Sequence, residues 1–368
     1  MPRYTPLVES LPATVPFVGP ETQERARAAK FTARLGANES VFGPSPHAIE
    51  AMRRAVSEAW QYSDPENHDL KAALAAHHGV KPINIVVGEG IDGLLGYLAR
   101  MLVGEGTPVV TSDGAYPTFN FHVAGYGGRL VKVPYKDDHE DADALLEAAK
   151  REDASLIYFA NPDNPMGTWI DAEALNWFIS SVPEQTVLCL DEAYCDFAPG
   201  GTVPEIDVSR PNIIRMRTFS KGYGMAGARI GYAIAHEELA VAFNKVRNHF
   251  GVNRIAQIGA LAALADQAYL EEVKLLVADA KARIADIARA NGFNPIPSAT
   301  NFVTMDCGRD GNFARALVRS LGGEGIFVRM PFVVPGDRCI RVSAGKPDDL
   351  DAFETAVPRA NENVMRAE

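Results

Sequence analysis

A lysine set among hydroxyls, glycines and a second cation is the pattern in this chain with the plainest chemical use. The run is Arg217-Thr218-Phe219-Ser220-Lys221-Gly222-Tyr223-Gly224-Met225-Ala226-Gly227-Ala228-Arg229-Ile230-Gly231. The hydroxyls of Thr218 and Ser220 with the Arg229 guanidinium suit a phosphate dianion, and Lys221 can serve as an amine nucleophile. A plain basic surface loop would not need four glycines after the lysine to make its turn. Three other polar clusters precede it. Gly88-Glu89-Gly90-Ile91-Asp92-Gly93 sits between an apolar run and a helical pattern, where backbone N–H groups at the positive helix end can meet a phosphate. Taken alone, the cluster is better accounted for by an ordinary glycine turn. It also suggests a nicotinamide-dependent dehydrogenase, a class set aside here because the cluster reads as lacking G-x-G-x-x-G spacing. Asn161-Pro162-Asp163-Asn164-Pro165-Met166-Gly167 makes a stiff loop that holds amides at a strand end, or simply a rigid self-capping turn. Asp191-Glu192-Ala193-Tyr194 places an acid after an apolar run, costly to bury unless a cation pairs with it. A helix N-cap is the alternative use of that aspartate.

The elements that must carry these clusters alternate in type. Short apolar runs at 83–87, 108–111, 131–134, 156–160, 186–190, 213–216 and 230–235 are separated by helix-length segments such as 91–103. That alternation predicts an α/β fold whose mainly parallel seven-stranded sheet is covered by helices. Ligands of such sheets bind beyond the carboxyl ends of the strands. The pattern changes after residue 250. Residues 255–290 read as one or two long helices, followed by strand candidates at 302–305, 326–329 and 339–343 around a helix at 313–321. This predicts a smaller α+β domain. Residues 1–30, with five prolines, read as an extended N-terminal arm. The expected division is then the arm at 1–30, a large domain at 47–250, and a small domain from 31–46 and 251–368.

Composition narrows the class. The chain has 368 residues, 47% of them hydrophobic, and a net charge of −11, so a nucleic-acid surface would have to oppose the overall field. No apolar run reaches the ~18 residues that a membrane helix needs. The start MPRYTPLVES has no apolar signal core, and Cys189, Cys195, Cys307 and Cys339 lack C-x-x-C spacing. A cytoplasmic protein with reduced thiols, no bound metal, and no membrane or nucleic-acid partner is the expectation.

In this order and spacing the clusters are specific. The chain resembles the fold-type-I pyridoxal-phosphate aminotransferases, and within them the histidinol-phosphate aminotransferase family. The resemblance runs from Leu35-Gly36-Ala37-Asn38-Glu39-Ser40 to Ile340-Arg341-Val342-Ser343-Ala344-Gly345. It implies pyridoxal 5'-phosphate as cofactor and a ping-pong cycle. An amino acid or histidinol-phosphate-like amine would give its amino group to a 2-oxo acid such as 2-oxoglutarate. Lys221 would form the Schiff base and shuttle the proton, and Asp191 would pair with the pyridine nitrogen. Tyr194 and Asn164 would reach the phenolic oxygen, and Tyr116 would stack on the ring. The backbone of Gly90, Ile91 and Asp92 would hold the phosphate with Thr218, Ser220 and Arg229. Tyr62 would reach the phosphate bound by a partner subunit, which implies a homodimer. Arg341 would grip the substrate carboxylate or its equivalent, and Asn38 would line the entrance. Arg329 would be a second substrate arginine, or an ordinary strand-end arginine.

Three departures from the family pattern stand out. Met166 replaces the usual threonine, and Gly93 replaces an acid. Pro16-Phe17 stands where the family carries Pro-Tyr, and a phenyl ring cannot donate a hydrogen bond to a phosphate. An aromatic or other apolar amino acid therefore competes with histidinol phosphate as the donor. Two further alternatives are a decarboxylase on the same scaffold and a non-catalytic regulatory protein, although the latter would be expected to have lost Lys221 or Asp191.

Overall fold

Leu156–Ala160 is buried along its whole length, and its side chains divide between the two faces of a sheet. Leu156, Tyr158 and Ala160 pack with Leu94, Leu98 and Phe119, whereas Ile157 and Phe159 pack with Leu145, Phe178 and Leu188. A strand with helices on both sides needs apolar residues at every position, hence the unbroken apolar run in the sequence. The computed structural model describes residues 2–13 and 18–367. Phe17 therefore lies outside the described residues.

Seven strands form the main sheet: β1 Ile85–Gly88, β2 Pro108–Ser112, β3 Arg129–Val133, β4 Leu156–Ala160, β5 Val187–Asp191, β6 Ile213–Thr218 and β7 Gly231–Ala235. Their order across the sheet is β1-β7-β6-β5-β4-β2-β3, and only β7 runs against its neighbours. The helices Gly90–Leu102 and Pro117–Gly125 cover one face, and Ala142–Glu152 and Ala172–Ser181 cover the other. Each core depends on large fully buried rings such as Phe119 and Phe178. Truncating either to alanine would cost about 3–5 kcal/mol. The expected α/β sheet is thus present, with strand ends shifted by a residue or two.

A second sheet pairs β8 Phe302–Asp306 antiparallel with β9 Cys339–Ser343, with Thr304 opposite Arg341. The helices Gln267–Ala290, Gly311–Gly323 and Pro347–Ala367 enclose its core of Val277, Ile284, Leu317 and Phe353. The early segment joins this sheet. The Ser343 N–H donates to Leu35 O at 2.8 Å, and Ala33–Arg34 pairs with Ile326–Phe327.

Several local expectations need correction. The described part of the arm is not simply extended: Pro6–Ser10 and Pro20–Arg27 are short helices, each with proline in its first turn, where a missing N–H costs nothing. The strand expected at 326–329 covers only Ile326–Phe327, which pairs with the early segment, while Arg329 just beyond it bridges to β9. Residue 250 does not mark a change of packing partner. The helix Arg254–Ala265 buries Ala256, Ala260 and Ala263 in a core shared with Ile85, Phe219 and Tyr232 of the main sheet. The helix Pro347–Ala367 was not anticipated, because Pro358 inside it reads in sequence as a break.

Candidate active site

The carboxyl ends of β4, β5 and β6 open into a cavity of about 480 Å³. Asp191 is the last residue of β5 and is buried. Its Oδ2 accepts from the Tyr158 hydroxyl at 2.7 Å and its Oδ1 from the Ala193 N–H at 2.9 Å. Burial raises its carboxyl above the usual range, against which those two hydrogen bonds act. Asp191 does not cap a helix. It is a buried acid facing a cavity with no cation bonded to it, which suits a positively charged ring nitrogen.

Lys221 lines the same cavity. Its Nζ donates to Asn38 O at 2.9 Å and lies 5.5 Å from the centroid of the Tyr194 ring. Burial first, and then the charge of Arg341, pull the amine down to about 8, with Arg229 adding to the effect and Glu39 and Asp191 opposing it. An amine so placed is neutral often enough to attack and to carry a proton. Tyr194 is buried, and burial raises its phenol. Its oxygen accepts from Asn38 Nδ2 at 2.9 Å. Asn38 itself adopts a left-handed backbone, and its Oδ1 accepts from Ser343 Oγ at 3.0 Å.

Arg341, on β9, reaches the cavity from the second sheet. Its Nη1 donates to Asn164 Oδ1 and its Nη2 to Gly36 O at 3.4 Å, while its buried Nε has no hydrogen-bond partner. Burial lowers its pKa. No carboxylate is bonded to this guanidinium, so it has capacity for an anion. Arg329 stands beside it. The two backbones exchange hydrogen bonds, at 3.2 Å from Arg329 N and 2.6 Å from Arg341 N. Arg329 Nη2 donates to Val18 O, and burial together with the Arg341 charge pulls the guanidinium down to about 10. Arg329 is a cavity residue and not a solvated strand end.

At the other end, Ile91, Asp92, Thr218, Ser220 and Arg229 line the wall, and Gly90 lies just behind it. Gly90 has φ +77°, and a Cβ there would meet Arg229 Nη2 at 2.5 Å. Arg229 donates only to carbonyls, Ala226 O at 3.0 Å and Glu89 O at 3.4 Å. The helix N-terminus, the glycine contact and a guanidinium bonded to no acid together make a cradle for a dianion. Gly88, Gly90 and Gly93 do have G-x-G-x-x-G spacing, so spacing alone leaves a dinucleotide site open. The topology closes it. The turn follows β1, an edge strand paired only with antiparallel β7, whereas a dinucleotide turn follows a strand within a parallel unit. Tyr116 stands in the wall between the two ends, its phenol pushed up to about 12 by burial and by Asp92.

Within one chain the cavity does not include Tyr62, which is 80% exposed with its ring 4.8 Å from that of Phe250. Other residues escaped the sequence reading. Tyr158, which holds Asp191, sits in an apolar run where nothing marks its hydroxyl as used. Glu192 is fully buried between Arg215 at 2.5 Å and Arg217 at 2.8 Å. The two arginines at alternate positions of an otherwise apolar strand were the available signal. Met166 is buried against Ile296 and Cys339, so its replacement of threonine alters packing beneath the loop.

The family model for aminotransferase class I and II matches residues 32–357. The chain is 33% identical over 361 residues to a histidinol-phosphate aminotransferase of Moorella thermoacetica, a match covering 97% of this chain and 92% of the other. It is 36% identical over 346 residues to histidinol-phosphate aminotransferase 2 of Carboxydothermus hydrogenoformans, covering 92% and 94%. The crystal structure of histidinol-phosphate aminotransferase from Sinorhizobium meliloti, in complex with pyridoxal-5'-phosphate, matches with a TM-score of 0.97 at 54% identity over 99% of each chain.

Proposed function

We propose that this chain, which belongs to the aminotransferase class I and II family and within it to the histidinol-phosphate aminotransferases, takes its amino group from histidinol phosphate and passes it to a 2-oxo acid such as 2-oxoglutarate. It is a pyridoxal-phosphate-dependent aminotransferase, so the decarboxylase and regulatory alternatives fall away. The residues fit that cofactor. Asp191 is a buried acid without a cation, Lys221 is an amine held near neutrality, and Arg229 with Gly90 forms an anion cradle.

When bound, pyridoxal 5'-phosphate supplies an aldehyde that an amine can capture and a ring that takes up an electron pair. Lys221 Nζ, neutral above about pH 8, provides the capturing amine and then carries the proton to and from the substrate α-carbon. The Asp191 carboxylate holds a proton on the ring nitrogen. Tyr194 and Asn164 would hold the cofactor at its phenolic oxygen, and Tyr116 would pack against it. Gly90, Ile91, Asp92, Thr218, Ser220 and Arg229 hold the phosphate.

The observation that carries the donor assignment is the pair Arg329 and Arg341. Two guanidiniums adjacent at one end of a cavity repel each other, and a phosphate dianion relieves both charges at once. Asn38 lines the entrance beside them. We place the boundary between the cofactor-holding and substrate-holding units after Arg254–Ala265, following its packing. Tyr62 and Phe250, packed ring to ring, and the exposed Trp60 suit a second copy, with Tyr62 reaching the phosphate held by the partner.

The test is a single half-reaction on the loaded enzyme, followed by the visible spectrum, with histidinol phosphate, phenylalanine and tyrosine as separate donors. Histidinol phosphate should convert the spectrum at the lowest concentration. Conversion by the aromatic amino acids alone would overturn the donor assignment and restore the argument from Phe17.

A further inference from the structure

At the 161–167 loop two buried carboxyl groups meet, and among the described residues no cation is bonded to either. Glu140 and Asp163 are both buried, and their side chains are within hydrogen-bond reach of each other. Ser112 Oγ at 2.5 Å and the Ala160 N–H at 2.9 Å donate to Glu140. The Tyr135 hydroxyl at 2.8 Å and the Met166 N–H at 2.9 Å donate to Asp163. The other titratable or charged groups facing the pair are Tyr135, with Asp113 beside it, Tyr158, Asp191 and Arg341. Only Arg341 is cationic, and it bonds Asn164 rather than either acid. Two buried like charges in contact, with neutral donors only, cannot both persist. One bridging proton leaves every oxygen satisfied. Burial and the neighbouring Asp163 charge push the Glu140 carboxyl well above its usual range, in agreement with that arrangement.

The pair fixes the loop that carries Asn164. Besides the Met166 N–H, Asp163 N donates to Thr168 O at 2.9 Å and Asp163 O accepts from the Gly167 N–H at 3.1 Å. Through Glu140 the same point is tied to the end of β4 at Ala160. The next residue, Asn164, accepts from Arg341 Nη1.

We propose that Glu140 and Asp163 share one proton and act as a positioning pair, holding Asn164 against Arg341 so that the guanidinium faces the substrate anion. This rests on Arg341 as the anion-binding residue. At alkaline pH the shared proton leaves, the two carboxylates repel, and the loop shifts. KM for the 2-oxo acid then rises.

The experiment compares the holoenzyme with Glu140→Gln, whose amide N–H replaces the shared proton by one that cannot leave. In the parent enzyme KM for 2-oxoglutarate should climb about tenfold at alkaline pH, the effect of one lost buried hydrogen bond. In Glu140→Gln it should stay flat, and in Glu140→Ala it should be high at every pH. Infrared spectra at neutral pH should show a protonated-carboxyl stretch that Glu140→Gln removes. The same alkaline rise in the parent and Glu140→Gln, or no such stretch in the parent, overturns the proposal. Failure of the reading of Arg341 would appear separately, as an unchanged KM in Arg341→Lys with the infrared band intact.

Discussion

The Lys221 amine donates to the backbone carbonyl of Asn38, 183 positions away, across 2.9 Å. That same carbonyl accepts from Asn301 Nδ2 at 3.1 Å, and the Asn38 side chain donates to the Tyr194 hydroxyl. One residue of the early segment therefore holds the Lys221 amine and the Tyr194 phenol together. The left-handed backbone of Asn38, which asparagine tolerates better than most residues, turns its carbonyl and its amide to these two duties.

The first prediction concerns that amine. It is charged below about pH 8 and neutral above, because burial and Arg341 disfavour its charge. Uptake of pyridoxal phosphate by cofactor-free protein should accelerate as pH rises through about 8 and then level off. Stopped-flow absorbance measures it, and a rate independent of pH between 7 and 9 (a range of about two units around that value) would contradict the assignment. Lys221→Ala should show no absorbance shift and should lose about 10³-fold or more in turnover.

Arg341→Lys retains the charge but not the planar fork, and it strands Asn164 Oδ1 and Gly36 O. KM for the 2-oxo acid should rise about 30-fold or more, as when a desolvated charge pair loses one partner. Initial-rate kinetics at fixed donor decide it. A change confined to kcat would assign the anion to another group.

Gly90→Ala separates backbone strain from contact. The new Cβ would press on Arg229 Nη2, and the left-handed φ adds strain of about 1–3 kcal/mol. Gly43→Ala shares the strain, at φ +79°, but meets nothing within 4 Å. Titration of cofactor-free protein with pyridoxal phosphate should show affinity weakened about tenfold for Gly90→Ala. It should show little change for Gly43→Ala, although both lose stability.

Glu192 provides a stability test away from the cavity. Burial works against its charge, yet Arg217 and Arg215 outweigh burial and hold the carboxyl below its usual range. Its contribution is therefore present above the unfolded pKa of about 4.3 and is lost as pH falls further. Glu192→Gln leaves two buried guanidiniums without their acid and should cost about 3–5 kcal/mol at neutral pH. Urea midpoints at neutral pH would show it, and an unchanged midpoint would mean that the arginines find other partners.

Much of the main sheet was legible because its strands are buried on both faces, which forces continuous apolar runs that sequence cannot hide. Lys221, Asp191 and Asn164, which the cavity brings together, could be singled out because polar residues following such runs have few structural uses. Partnership across the fold was not legible. Tyr158 and Glu140 are set to work by neighbours that only the topology brings near, and neither has a local pattern. The packing of the stretch just beyond residue 250 was not legible for a similar reason. The Ala-rich stretch 254–265 has the helical signal of the chain that follows it, and only its packing on Tyr232 assigns it to the main sheet.

The hydrogen bonds between Asn38 and Ser343 span 305 positions. Contacts this remote form late, because closing so long a loop costs chain entropy before any contact repays it. The main sheet, drawn from residues 85–235, can organise from nearer pairings. A refolding chain should thus regain most of its secondary structure before Asn38, Lys221 and Arg341 meet. Recovery of turnover would then lag behind recovery of the circular dichroism signal, since the lining of the cavity is among the last things the chain assembles.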